Sequence, residues 1–246
     1  MDAVVRAEAD APARREPGDT AEVRVTIAAD EGSARLEQRV VRFSPGRSLP
    51  RRDDGRDDVM YVVSGRAVLE LEGERYELAP DDGVHIAAGE SFLIDNPGLD
   101  DLVVVSVLTP AGEAPARADR RVVASLGERE EEPADEHRCF RVLVAGDTGC
   151  PHVTQFVGFV QPCRAADHSH PYDEVGYILA GRGYAHVGGA AVPIARGSCF
   201  HLPPGTVHCI ENAGPETMEI LGVFWPAASP AVRMYQAIDR ATATGP

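Results

Sequence analysis

The stretch His168–Gly183 reads HSHPYDEVGYILAGRG, and two features of it decide the fold. The first is chemical. On an extended strand alternate side chains share a face, so His168 and His170 point the same way and Glu174 joins them by parity. Farther on, GSCFHLPPGTVHCIEN (Gly197–Asn212) places His208 just past a Pro-Pro-Gly turn. Three imidazoles and one carboxylate form a ligand set that suits Fe(II), Mn(II), Ni(II), Cu(II) or Zn(II). The second feature is repetition. VGYILAGRG (Val175–Gly183) is a second copy of VMYVVSGRA (Val59–Ala67), 116 residues earlier.

The repeat extends well beyond this segment. RVTIAADEGS (Arg24–Ser33) returns as RVLVAGDTGC (Arg141–Cys150) at an offset of 117, which also relates Gln38 to Gln155, Pro45 to Pro162 and Arg47 to Arg164. His85, Gly89 and Asn96 match His201, Gly205 and Asn212 at 116. A solenoid unit spans roughly 20 to 50 residues, whereas this period is that of a small domain. Two homologous domains in tandem are expected, at 20–115 and 137–240, joined by a charged connector at 116–136. Residues 1–19 and the tail ATATGP (Ala241–Pro246) are expected to be disordered. Short apolar or alternating segments such as VTQFVGFV (Val153–Val160) and AVLELEG (Ala67–Gly73) read as strands. Gly-rich and Pro-rich turns punctuate them, so the fold class is all-β, a sandwich or barrel. The clearest helical candidate is SPAVRMYQAIDR (Ser229–Arg240).

With both motifs quoted, the chain resembles the cupin superfamily. The family's first motif, G(X)5HXH(X)3–4E(X)6G, is met by His168, His170, Glu174 and Gly181, with Pro162 standing where the leading glycine belongs. The second, G(X)5PXG(X)2H(X)3N, is met by Gly197, Pro203, Gly205, His208 and Asn212. The resemblance is to bicupins of quercetinase-like architecture. It implies two tandem double-stranded β-helix (jelly-roll) domains, with His168, His170, Glu174 and His208 facing into the second barrel. It also implies one divalent transition metal, Fe(II) or Mn(II) ahead of Ni(II), Cu(II) or Zn(II), and pairing of the chain into a homodimer through edge strands.

The N-terminal copy lacks the ligands. Arg51, Asp53 and Phe92 fall opposite His168, His170 and His208, and Glu174 meets Asp57 or Asp58, depending on where a one-residue gap sits. A metal-free domain that shapes structure or substrate is expected. Its Arg51, Arg52 and Arg56 read either as a solvated loop or as a holder of an anionic ligand. Gln155 and His201 could line the metal pocket. Gln38 and His85 hold the same places in the metal-free half, so a structural role stands equally. Tyr172 and His186 have no twin and either support the ligands from behind or lie at the surface. Glu174 and Tyr172 are the catalytic candidates, Glu174 as a base. Cys199 and Cys209, inside the second motif, read as buried, unreactive thiols.

The bulk composition excludes other classes. A formal net charge of −15 repels nucleic-acid phosphates and anionic lipids, so neither is expected as a partner. The charged opening MDAVVRAEADAPARREPGD is not a signal peptide, and no apolar run is long enough to span a bilayer, which together suggest a cytoplasmic protein. Five cysteines without a CxxC pair read as free thiols. The expectation is a metal-dependent enzyme acting on a small organic substrate. A non-heme dioxygenase comes first. A redox-neutral isomerase, cyclase, decarboxylase or aminohydrolase comes next, and a non-catalytic binding cupin third.

Overall fold

The computed structural model describes residues 3–28, 35–113, 115–232 and 234–235. Among them every regular element is a strand or a one-turn 3-10 helix. The N-terminal half carries β1 (Val4–Ala7), β2 (Ala13–Arg15), β3 (Ala21–Ile27), β4 (Glu37–Phe43), β5 (Gly46–Arg47), β6 (Arg51–Arg52), β7 (Arg56–Ser64), β8 (Ala67–Leu71), β9 (Glu74–Leu78), β10 (Asp82–Ile86), β11 (Ser91–Asn96) and β12 (Leu102–Pro110). The remainder carries β13 (Val123–Ser125), β14 (Glu132–Asp135), β15 (Arg138–Val144), β16 (Thr154–Val160), β17 (Cys163–Arg164), β18 (His168–Ser169), β19 (Asp173–Ala180), β20 (Arg182–Val187), β21 (Ala190–Ala195), β22 (Ser198–Leu202), β23 (His208–Asn212), β24 (Met218–Trp225) and β25 (Met234–Tyr235).

Each half is a two-sheet antiparallel jelly roll. The N-terminal one joins a large sheet, β13-β10-β7-β12-β4-β3-β2, to a small one, β5-β11-β8-β9 with β6 on β11. The C-terminal one joins β1-β22-β19-β24-β16-β15-β14 to β21-β20-β23-β18-β25 with β17 on β23. The two large sheets lie against each other. Val59 and Tyr61 of β7 and Val105 and Val107 of β12 share one buried cluster with Val157, Val175, Tyr177 and Val223 of the other half. The alternate residues Met60, Val62 and Val104 fill the first barrel, and Ile178, Phe200 and Ile220 the second. The central strands are thus buried on both faces, which is why they read as continuous apolar runs rather than as strict alternation.

Two repeated polar residues sit inside this interface and bond reciprocally across it. Gln38 Nε2 donates to the Gly176 carbonyl and Gln155 Nε2 to the Met60 carbonyl, both at 3.1 Å and both fully buried. The halves also exchange strands. β1 precedes the first barrel yet pairs with β22 of the second, Val4 opposite His201. β13 precedes the second barrel yet pairs with β10 of the first, Asp82 opposite Ser125. Glu8, just after β1, pairs with Arg42 and accepts a hydrogen bond from Tyr177 Oη at 2.8 Å.

Two repeated residues hold each barrel's turns. Gly65 and Gly181 have φ of 86° and 91°. A Cβ on Gly65 would lie 2.5 Å from the Asp101 carbonyl oxygen, and one on Gly181 2.9 Å from Met218 Cα, so only glycine fits. Asn96 Nδ2 donates to the Phe43 and Asp100 carbonyls at 3.0 and 2.9 Å, and Asn212 repeats this to Val160 and Glu216 at 2.8 Å each.

Two expectations change. Residues 1–19 do not read as ordered from composition, yet from residue 3 on they carry β1 and β2. Strand pairing runs through backbone groups and tolerates polar side chains on its exposed face. Of the helical candidate Ser229–Arg240, the described part is turn followed by β25, paired to β18. Residues 233 and 236–240, like the tail 241–246, lie outside the described residues. No described helix is long and apolar enough to cross a membrane.

Gln155→Ala is expected to lower stability by about 1 to 3 kcal/mol, because it removes a fully buried side chain together with its hydrogen bond to the Met60 carbonyl. Chemical denaturation checks this.

Candidate metal centre

The C-terminal barrel gathers three histidines. His168 on β18 lies directly opposite His208 on β23, and His170 follows two residues on. Their rings are 4.5 Å (His168–His208), 4.9 Å (His168–His170) and 5.1 Å (His170–His208) apart, and one nitrogen from each falls within 4.8 Å of the others. Glu174, on β19, brings Oε2 to 3.5 Å from His170 Nε2. All four residues are buried. The turn before His208 is latched to the first motif, since Gly205 N–H donates to the His170 carbonyl at 2.7 Å.

Each imidazole has its Nδ1 facing an oxygen. His168 Nδ1 meets the Ala166 carbonyl at 2.8 Å and His208 Nδ1 the Thr206 carbonyl at 2.9 Å, so each Nδ1 carries its proton. His170 Nδ1 meets Tyr172 Oη at 2.9 Å, and that hydroxyl donates its own hydrogen bond to the Val232 carbonyl at 3.4 Å. This tautomer leaves each Nε2 with its lone pair, the state a metal ligand requires. The Tyr172 ring also stacks on His170, with centroids 4.7 Å apart. The cavity beside the cluster is small, about 90 Å³, and its walls are mostly apolar: Phe140, Phe156, Phe200, Leu202 and Phe224, with Arg138 as the cationic neighbour.

The Cupin domain family model matches residues 39–108 and 159–224, more than half of the chain. The chain belongs to the cupin domain family. Among solved structures this cupin is similar to protein Ylba from E. coli, at 13% identity and TM-score 0.76, covering 93% of each chain. It is also similar to a deletion mutant of Bacillus subtilis oxalate decarboxylase OxdC, at 15% identity and TM-score 0.71, covering 90% of this chain and 76% of that one. At these identities the likeness is one of fold. No curated protein matches the cupin in sequence.

The structure separates the other candidates. Gln155 and His201 do not line the pocket. Both face the interface between the barrels, Gln155 on Met60 and His201 with Nε2 3.1 Å from Asp173 Oδ1. His186 sits on β20 with Nε2 2.7 Å from Glu211 Oε2, outside the cavity wall. Cys199 shares the interface cluster, and burial pushes its thiol up to about 12. Burial also raises Cys209, which has Arg164 and Asp167 beside it.

The register also settles the one-residue gap. Asp58 pairs with Ile86 as Glu174 pairs with Leu202, so Asp58 is the twin of Glu174, and Asp57 that of Asp173. Phe92 pairs with Arg51 where His208 pairs with His168, and no imidazole stands at those places.

A second group was not visible in the sequence, because its members come from both halves. Asp57, His85 and Cys150 cluster at the interface, with His152 alongside. His85 Nε2 and His152 Nε2 lie 3.0 and 2.7 Å from Asp57 Oδ2, and Ala88 N–H donates to Oδ1 at 2.8 Å. Arg120 Nη1, 3.3 Å from His85 Nδ1, is a donor and fixes His85 as the Nε2–H tautomer. His85 Nε2–H therefore donates a hydrogen bond to Asp57 rather than offering a lone pair to a metal. The same His–Asp pair recurs as His201–Asp173, which marks it as part of the shared scaffold.

Burial alone would raise the Asp57 carboxyl, but hydrogen bonds from His152 and His85 outweigh it and hold the group well below the usual carboxylate range. Its folded value being depressed, its stabilisation is full above about pH 4, the unfolded value, and is lost as pH falls further. Asp57→Asn is expected to flatten the acid limb of a stability-versus-pH curve below about pH 4. An unchanged limb in urea titrations would assign that limb to other carboxylates.

Proposed function

We propose that His168, His170, Glu174 and His208 hold one divalent transition metal and that the protein is a metal-dependent enzyme acting on a small organic molecule. The observation that carries this is the triple commitment of Nδ1 to oxygen, which aims three buried Nε2 lone pairs at one point beside a carboxylate. Three neutral imidazoles and one carboxylate form a donor set that fits Fe(II) or Mn(II), and also Ni(II), Cu(II) or Zn(II). Such an ion, when bound, supplies Lewis acidity toward a substrate oxygen or, if redox-active, the activation of dioxygen.

The chain's own residues define what reaches the site. Phe140, Phe156 and Phe224 exclude water and leave room for a small, flat or compact substrate. Arg138 stands at the wall, where an acidic substituent would be oriented, although Asp135 already engages it. Glu174 supplies a carboxylate that can accept a substrate proton at Oε2. Tyr172 acts through His170: its hydroxyl oxygen accepts a hydrogen bond from Nδ1–H and its ring fixes the imidazole plane.

The aromatic walls favour a small aromatic or enolisable substrate, which is the basis for reading the enzyme as a non-heme dioxygenase. A redox-neutral reaction is the second reading. It draws support from the fold shared with oxalate decarboxylase, an enzyme named for a decarboxylation of a small acid.

Two measurements test this. Metal analysis is expected to give about one equivalent per chain, lost in His168→Ala and His208→Ala. Oxygen uptake should accompany turnover of the Fe(II)-loaded protein, and full turnover under strict anaerobiosis would remove the oxygenase reading in favour of the redox-neutral one. Biological activity that survives both alanine variants would make the protein a non-catalytic binder. Separately, Tyr172→Phe should weaken metal retention about tenfold in chelator competition, with an unchanged fold. Retention equal to wild type would limit Tyr172 to packing.

A further inference from the structure

The mouth of the N-terminal barrel opens into a cavity of about 610 Å³, against about 90 Å³ at the metal centre. Arg51, Asp58 and Phe92 line it, the twins of His168, Glu174 and His208. The place that holds imidazoles in one barrel is therefore open space in the other.

The charge of this space runs against that of the molecule. The chain has 39 acidic and 24 basic residues. Six arginines face the cavity (Arg14, Arg15, Arg39, Arg51, Arg52 and Arg56), against five carboxyls. Arg39 and Arg56 share one carboxylate, Glu37, so neither is fully neutralised by it. Arg56 reaches Asp53 as well, at 2.8 Å. Arg14 has no ion pair among the described residues. A guanidinium offers five donors in a planar fork, so several remain for a ligand.

The carboxyl deepest in the wall is weakened as an anion. Burial pushes Asp58 up to about 6, while the Ser106 hydroxyl, donating to Oδ1 at 2.7 Å, and the charges of Arg39, Arg56 and Arg51 pull the other way. The rest of the wall is apolar, including Val23, Val25, Ile86, Phe92 and Leu108. A bare inorganic anion would leave that surface wet, whereas an acid with an organic body covers it.

We propose that the N-terminal barrel is a binding site in its own right, independent of the metal, for a small organic acid. Its carboxylate is held by Arg14, Arg39 and Arg56 and its apolar body lies against Val25, Ile86 and Phe92. The proposal needs no metal and stands apart from the reading of the C-terminal centre.

Benzoate is the probe, with benzyl alcohol as the uncharged analogue and sodium sulfate as the bare anion, in calorimetric titrations of the whole chain at low salt. One saturable benzoate site is expected, with no binding of benzyl alcohol. The Arg39→Gln/Arg56→Gln pair should weaken it about tenfold or more, and Asp58→Asn should tighten it. Arg14 is exposed on β2, so Arg14→Gln serves as a second weakening variant that leaves the core untouched. His168→Ala should leave benzoate affinity unchanged.

Absence of a saturable benzoate site overturns the proposal, as does affinity that survives the arginine substitutions in folded protein. Loss of binding in His168→Ala would move the benzoate to the metal centre. Sulfate competing as strongly as benzoate would overturn the organic-acid assignment.

Discussion

Two large sheets, each apolar on both faces, cannot stand alone in water. The inner face of each fills its own barrel, and the outer face carries Val59, Tyr61, Val105 and Val107 on one side and Val157, Val175, Tyr177 and Val223 on the other. Burying that second face is the constraint on which the rest of the molecule depends. It forces two polar positions, Gln38 and Gln155, into dry surroundings. Each finds its acceptor in a carbonyl of the opposite half, so the interface is held in one register by bonds that no lateral slip can keep. The exchanged strands β1 and β13 act in the same direction, each closing the edge of the other half's sheet.

The same constraint explains which residues a sequence reader can place. The candidate metal ligands are legible because their geometry is local: His168 and His170 share a face by period two, and the Pro-Pro-Gly turn sets His208 opposite His168. The duplication is legible because the shared scaffold, glycine turns and Asn staples included, repeats at a fixed offset. Gln155 and His201 are harder. Near-continuous burial removes the alternation that would tell barrel face from interface face, and a polar residue on a strand buried both ways could point either way. The presence of twins in the N-terminal half was the one available signal, and it left pocket and scaffold equally open. Neither β1 nor the Asp57–His85–Cys150–His152 cluster could be found by pattern, because both exist only once the halves meet.

Duplication also separates what the scaffold requires from what the chemistry requires. The His–Asp pair, the Asn staple and the turn glycine recur in both halves. The three convergent imidazoles occur in only one. Residues common to both barrels are therefore explained by folding alone, and those that differ between the barrels are where function has room to act. By that criterion Tyr172, which has no twin and touches His170, belongs with the site. His186, equally without a twin, bonds Glu211 instead, so lack of a twin permits a functional role but does not assign one.

The two barrel interiors have diverged in opposite physical directions from one backbone plan. In the second, phenylalanines close around buried imidazoles and leave space for little more than a small substrate. A dry, narrow pocket strengthens every electrostatic contact made inside it. In the first, Arg51, Asp53 and Phe92 stand where the imidazoles are in the second, and the interior is wider. A guanidinium cannot give up a lone pair to a metal, so the Arg51 position excludes the ion outright rather than merely weakening it. The two barrels thus differ in the kind of ligand their side chains suit, imidazoles in one and guanidinium groups in the other, at positions that leave the shared interface untouched.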